Sequence, residues 1–316
     1  MSNQINPLTT QLTKETILSS LNNQQATKNL QTILMEAKNE TIVSLVKELR
    51  GEYRKLILDR NGNYLCTDLF KICQQKERID ILKELSPTLS DDCVDDCATF
   101  PIQTLIEYSS CEDEYKLILN SLNDYNKLLA AAINPNGGHV IQKIIIRIPE
   151  RFRKEFNSIF ISSLDFLSKQ KYGIVSVKCF VSKTKDKETI KSILNFIKNN
   201  FMSLTVDMFG NYLIQYLLEK WNNFEEGTEI ENLVFQNFKD MIKSKYSSFI
   251  CELFTKMVSN EEKNALVESF NLNEIQYMYN NYYANKILRL LGINNMPNNN
   301  NNINQLKNIN MFTLYI

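Results

Sequence analysis

Three stretches of this 316-residue chain set a flat ring beside hydrogen-bonding side chains: Gly62-Asn63-Tyr64-Leu65-Cys66-Thr67, Gly137-Gly138-His139-Val140-Ile141-Gln142 and Gly210-Asn211-Tyr212-Leu213-Ile214-Gln215. A ring offers a face for stacking, and an amide one helical turn away can donate and accept at the edge of whatever stacks there. That is the chemistry of recognition, not of bond making. The same frame picks out five more copies, so that eight pentads begin at 27, 63, 99, 138, 174, 211, 248 and 285, at spacings of 36, 36, 39, 36, 37, 37 and 37. The residue before each pentad is Gly, Ala or Ser, and its fourth residue is always apolar or Cys (Leu30, Cys66, Ile102, Ile141, Val177, Ile214, Cys251, Leu288). First and fifth residues pair as Thr27/Gln31, Asn63/Thr67, Thr99/Gln103, Gly138/Gln142, Ile174/Lys178, Asn211/Gln215, Ser248/Glu252 and Asn285/Arg289. The second residues are Lys28, Tyr64, Phe100, His139, Val175, Tyr212, Phe249 and Lys286, five of them rings.

Parts for catalysis are missing. His139 is the single histidine, and there is neither a Gly-rich phosphate loop nor an H-E-x-x-H run, so no enzyme activity is expected. Cys93 and Cys97 lie in the acidic run Asp91-Asp92-Cys93-Val94-Asp95-Asp96-Cys97, but a zinc site wants four N or S ligands and His139 is more than forty residues away. No metal and no cofactor are expected, and the run is read as a solvated acidic turn. The seven cysteines are odd in number and scattered, as suits reduced thiols.

The elements that must hold the pentads are helices. Only 8 Gly and 6 Pro argue against a β architecture with many tight turns, while 43% apolar residues suffice for a core. Apolar residues recur three to four positions after each pentad's core residue, as in Ile141, Ile144, Ile145 and Ile214, Leu217, Leu218, so each pentad opens an amphipathic helix. First, second and fifth residues then share the side that is not apolar and buried. Pro101 is tolerable because its helix is just beginning, with Thr99 the expected N-cap. Between pentads run further helical patterns, such as 188–197, followed by a separate short segment at 201–206. Two or three helices per repeat cannot bury their own faces, so the repeats must stack into an all-α solenoid with one concave face. The expected boundaries are a loose leader at 1–14, the repeat domain at 15–293, an Asn-rich insert at 294–304 with five consecutive Asn at 298–302, and a C-terminal segment at 305–316 read as a cap. Without an 18-residue apolar run or a signal pattern, a soluble cytoplasmic protein is expected.

Asn136-Gly-Gly-His-Val-Ile-Gln-Lys143 and Met208-Phe-Gly-Asn-Tyr-Leu-Ile-Gln215 resemble the repeat signature of the Pumilio (PUF) family of RNA-binding proteins, and the resemblance covers nearly all of residues 15–291. It implies a right-handed superhelix of eight repeats of about 36 residues. It also implies single-stranded RNA on the concave face, one base per repeat, antiparallel to the chain, with its 5′ end toward the repeat of Asn285. The implied base-edge residues are Thr27, Gln31, Asn63, Thr99, Gln103, Gln142, Asn211, Gln215, Ser248, Glu252, Asn285 and Arg289. The implied stacking residues are Lys28, Tyr64, Phe100, His139, Tyr212 and Phe249. Glu252, assisted by Ser248, can accept the two donors of guanine's Watson–Crick edge, and Gln215 with Asn211 matches the mixed edge of uracil. Thr27/Gln31 and Thr99/Gln103 resemble the family's adenine pairs.

Several repeats depart from that pattern. Ile174, Val175 and Lys178 offer neither ring nor amide, Gly138 leaves His139 and Gln142 alone, Thr67 is short for a Gln, and Arg289 is a cation in that place. The 36 basic and 36 acidic residues cancel overall, yet the pentads hold Lys28, Lys178, Lys286 and Arg289 against Glu252 alone. The resemblance further implies a monomer, no membrane, messenger 3′-untranslated RNA as target, and repression or decay through protein co-repressors on the convex face. A solenoid scaffold for protein partners and a relative acting on ribosomal RNA are the alternatives.

Overall fold

Helices account for all regular structure among the described residues, 12–222 and 224–294 of a computed structural model, and no strand occurs among them. The described residues fall into two compact units, one of residues up to Leu167 together with Lys171–Ile190, the other of Ser168–Gln170 together with the residues from Lys191 on.

In the first unit α1 (Lys14–Ser20) leads to α2 (Gln24–Glu36), which carries the pentad at 27, followed by α3 (Asn39–Glu48) and α4 (Tyr53–Leu58). The pentad at 63 lies on α5 (Gly62–Ile72), then come α6 (Gln75–Leu85) and α7 (Leu89–Asp92), and the pentad at 99 lies on α8 (Thr99–Tyr108). After α9 (Glu112–Ser121) and α10 (Tyr125–Ile133), α11 (Pro135–Arg147) carries the pentad at 138; α12 (Lys154–Ser162) and α13 (Leu164–Ser168) precede α14 (Gly173–Lys183) and the pentad at 174. The five pentad helices α2, α5, α8, α11 and α14 pack in sequence order, each on the next, while α3, α6 and α9 form a second row behind them. In that second row a buried ion pair joins neighbouring repeats: Arg78 Nε donates to Glu114 Oε1 at 2.8 Å, and Glu114 Oε2 accepts from the Ser110 and Cys111 N–H groups.

The boundary of the second unit falls within α15 (Lys187–Val206). Then follow α16 (Asn211–Trp221) with the pentad at 211, α17 (Glu225–Met241), α18 (Lys245–Met257) with that at 248, α19 (Asn260–Ser269), α20 (Leu272–Tyr279), and α21 (Tyr282–Leu290) with that at 285. Here α16, α18 and α21 pack in sequence order. All eight pentads therefore lie on helices, and an eightfold count fits the fold. Every fourth residue is buried, from Leu30 to Leu288.

Three local expectations are corrected. The segments at 188–197 and 201–206 are one 20-residue helix, because Lys198-Asn199-Asn200 contains no breaker and Asn200 Nδ2 donates to the helix carbonyl of Phe196 instead of turning the chain. Thr99 is the first helical residue, not the N-cap, since Asp95 Oδ1 already accepts from the Cys97 and Ala98 N–H groups. Pro101 still sits in the first turn, where N–H groups lack helical partners. The acidic run is a solvated turn only in part, with Asp91 and Asp96 exposed. Asp92 is buried, paired with the Arg54 guanidinium at 3.0 Å and accepting from Thr88 Oγ1, and Asp96 Oδ1 accepts from Asn136 Nδ2. The leader at 1–14 lies outside the described residues as far as residue 11, and Thr13 already caps α1. The Asn-rich insert beyond Asn294 and the segment 305–316 also lie outside the described residues.

Candidate nucleic-acid interface

Each pentad is aimed by the turn before it. Four residues ahead of the first position an Asn or Asp side chain accepts, through Oδ1, from the N–H of the residue that precedes the pentad: Asn23 from Ala26, Asp59 from Gly62, Asp95 from Ala98, Asn134 from Gly137, Asp207 from Gly210 and Asn281 from Ala284, at 2.7–3.1 Å. This Asx turn satisfies a donor that the helix start leaves free. Sequence reasoning missed these residues, although Asn or Asp stands there in six of eight repeats; Gln170 and Ser244 are the exceptions. The small residue that follows has its own cause. A Cβ at Gly137 would lie 2.5 Å from the Ala131 carbonyl oxygen, and one at Gly210 would lie 2.8 Å from that of Leu204, so the preceding helix runs against the backbone there.

The expectation that first, second and fifth residues all escape burial holds for two of the three positions. The first residue is buried in seven repeats and half-buried only at Asn285. Its donors turn inward: Asn63 Nδ2 donates to the Asp59 and Arg60 carbonyls, Asn211 Nδ2 to those of Asp207 and Met208, Asn285 Nδ2 to that of Tyr279, Thr27 Oγ1 to that of Ser20 and Ser248 Oγ to that of Lys245. A short polar side chain at the start of a helix reaches its own turn more easily than it reaches solvent.

Second residues project outward in all eight repeats. Tyr64, Phe100, Tyr212 and Phe249 are 57%, 58%, 51% and 46% exposed, and Lys28, His139, Val175 and Lys286 are exposed as well. Large rings left half in water on neighbouring packed helices, α5 and α8 in the first unit and α16 and α18 in the second, form an apolar pair within each unit.

Fifth residues are half-buried, except for the exposed Arg289. Several are held by the first: Gln215 Nε2 donates to Asn211 Oδ1 at 2.7 Å, Arg289 Nε to Asn285 Oδ1 at 2.9 Å and Gln103 Nε2 to Thr99 Oγ1 at 3.0 Å. Gln142 Nε2 uses the Gly138 carbonyl instead, and Thr67 Oγ1 folds back on that of Asn63. In the Asn211/Gln215 pair the amide is fixed with its oxygen and second N–H still open, a mixed edge. Gln31 differs, donating to Asp68 Oδ2 of the next repeat at 2.6 Å. Glu252 presents oxygens only, and both meet ammonium groups: Oε1 that of Lys256 at 3.0 Å and Oε2 that of Lys286 at 2.6 Å. Those hydrogen bonds, Lys286 first, hold its carboxyl below the usual carboxylate range. Ile174 is buried, Val175 exposed and Lys178 half-buried, so that helix puts one aliphatic and one cationic side chain where the others have a ring and an amide. No group of three or more His, Cys, Asp or Glu able to hold a metal ion occurs among the described residues.

Comparison with known proteins identifies the repeat. A family model described as the Pumilio-family RNA binding repeat matches residues 130–155 and 200–226, the stretches around the pentads at 138 and 211. A Pumilio domain-containing protein of Schizosaccharomyces pombe is 29% identical over 214 residues, 66% of this chain and 30% of that protein. Pumilio homolog 12 of Arabidopsis thaliana is 26% identical over 64% of this chain and 34% of its own length. The chain thus spans about a third of the length of these relatives. Among solved structures, the Puf4 RNA binding domain bound to an HO endonuclease RNA 3′ UTR recognition sequence superposes with a TM-score of 0.78 at 22% identity, covering 93% of this chain and 92% of that one. Yeast Puf5p bound to SMX2 RNA gives 0.73 at 20% identity, covering 87% and 82%. Pentads on stacked helices, a family model that matches at two of them, relatives named Pumilio and the Puf fold agree: the chain carries Pumilio-family RNA binding repeats at 130–155 and 200–226 and shares the helical-repeat fold of the Puf structures.

Proposed function

We propose that this protein binds single-stranded RNA along its pentad face, second residues stacking on bases and fifth residues meeting base edges. One observation carries the reading: the second residue of every pentad projects outward, with a polar and mostly half-buried fifth residue one turn on, on helices that pack in sequence order within each compact unit. In the second unit Asn211 and Gln215 suit uracil and Glu252 suits guanine, so with the strand antiparallel the core is guanine followed by uracil. Glutamine pairs at Thr27/Gln31 and Thr99/Gln103 suit adenine, and the repeat of Ile174 reads no base. The first residue acts mainly by holding the fifth. Both Puf structures described above are bound to RNA, one of them to a 3′ UTR recognition sequence, which supports messenger 3′-untranslated RNA as the target. Repression or decay of that messenger in the cytosol, by a monomer that brings protein co-repressors, completes the proposal. The family's role is binding, not catalysis.

Selection of bound RNAs from a random pool tests this. Enrichment of a guanine-uracil core, with affinity falling steeply as salt rises, is the expected result. A pool that emerges unenriched, or binding indifferent to salt, would point to a protein scaffold instead.

A further inference from the structure

Along the second compact unit the outward row reads Tyr212, Phe249, Lys286. Where a third ring would continue the row there is a cation, and it does not simply wave in solvent. Lys286 reaches from α21 to the neighbouring α18 and places Nζ 2.6 Å from Glu252 Oε2, while Lys256 holds Oε1. Guanine's N1–H and N2–H need both of those oxygens, so the base and the ammonium groups compete for one edge. Lys256 is an i,i+4 neighbour on Glu252's own helix and 63% exposed, a pairing of little strength. Lys286 differs in kind, because its stem leaves from the stacking position of the next repeat and its head lies over the reading position of this one.

We propose that Lys286 is a specificity-determining residue, a resident cation that occupies the guanine-reading edge of Glu252 and must be displaced before guanine can bind. The inference rests on the RNA-reading proposal above. Guanine binding breaks the bridge; a uracil at the same site has acceptors that leave the bridge in place. Lys286 therefore lowers affinity for guanine more than for uracil and narrows the preference between them. High salt weakens a half-exposed ion pair and so widens that preference, although it lowers affinity for both RNAs.

The test measures affinities of wild type and Lys286→Met for two RNAs that differ only by guanine or uracil at this base, from about 50 to 300 mM salt. Lys286 is well exposed, so the substitution leaves the fold intact, which circular dichroism checks. Expected is a guanine preference about two- to five-fold larger in Lys286→Met at low salt, the range spanned by an ion pair of this exposure, together with a wild-type preference that grows with salt and a variant preference that stays flat. RNA binding with an unchanged or smaller guanine preference in the variant, or a wild-type preference indifferent to salt, overturns the role of Lys286 and leaves RNA binding standing. Failure of both proteins to bind either RNA overturns the RNA reading and this inference with it.

Discussion

Gly137 and Gly138 are adjacent, lie in the same first turn of α11, and should respond to alanine in opposite directions. Alanine normally stabilises a helical glycine position by roughly 0.5–1 kcal/mol, because glycine loses more backbone freedom on folding. At Gly138 the nearest atom a Cβ would meet is the Ala132 carbonyl oxygen at 3.6 Å, an ordinary contact, so Gly138→Ala should gain about that amount. At Gly137 the Cβ would lie 2.5 Å from the Ala131 oxygen and 2.8 Å from its Cα, both backbone atoms of α10. Relief requires α10 to move off α11, and overpacking of this sort costs about 1–3 kcal/mol. Set against the entropic gain, Gly137→Ala should lose about 1–2 kcal/mol, so the two variants should differ by about 2–3 kcal/mol. Urea denaturation followed by circular dichroism measures the difference directly, as a midpoint shift at constant slope. Equal midpoints, or a stabilised Gly137→Ala, would show that α10 and α11 do not meet as closely as described. The explanation of the small leading residue would then fall.

Removing both Tyr212 and Phe249 rings with alanine should weaken binding of every RNA sequence by about 2–6 kcal/mol in a fluorescence-anisotropy titration, since each stack contributes roughly 1–3 kcal/mol. Because both rings stand half in water the helices should survive, and a folded double variant with unchanged affinity would refute the face. Ser248→Asn with Glu252→Gln recreates the Asn211/Gln215 pair and should move the preference at that base from guanine to uracil by about 1–3 kcal/mol, read as a ratio of affinities at fixed salt; a variant that still prefers guanine would show that Glu252 does not read the base. The Glu252 carboxyl is depressed by Lys286 and Lys256, so its acceptor edge is intact above that lowered value and lost only as pH falls through it. Guanine preference should accordingly be the same at pH 7 and pH 5, and a collapse by pH 5 would mean that the lysines do not hold the carboxylate in solution.

What was legible in the sequence was whatever recurs with the repeat. The small leading residue, the buried fourth residue and the outward second residue could be read because eight copies place them in one frame, and Leu30 through Leu288 are buried accordingly. The Asx residues at Asn23, Asp59, Asp95, Asn134, Asp207 and Asn281 recur as well, and reading the frame four residues earlier would have found them. Contacts between repeats were not legible in this way. Lys286 on Glu252, Gln31 on Asp68 and Arg78 on Glu114 each join residues 34–37 positions apart, and only the packing of one helix on the next decides which of many charged pairs meet. Helix continuity through Lys198-Asn199-Asn200 failed for a simpler reason: asparagine favours turns on average, but Asn200 spends its donor within the helix.

Burial of the first residue limits which side chains can also hold the fifth. A first residue that does so is short enough to fit beside the turn, carries a donor for that turn's carbonyls and still leaves an acceptor for the fifth residue, and Asn211 does all three, whereas Gly138 and Ile174 offer no such side chain: Asn211 Nδ2 is spent on Asp207 and Met208 while its Oδ1 holds Gln215. Thr99 divides the work differently, its hydroxyl donating to the Asn136 carbonyl of the next repeat while accepting from Gln103. Ser248 donates to Lys245 and forms no bond to Glu252, whose carboxylate has no hydrogen to give it. The fifth residue of that repeat, like Gln31 on Asp68, is thus held by side chains other than its first residue, here the lysines at 256 and 286. A change of the base-reading residue therefore changes what holds it, which is why Glu252→Gln alone should leave a poorly aimed amide and why the exchange of specificity needs Ser248→Asn as well.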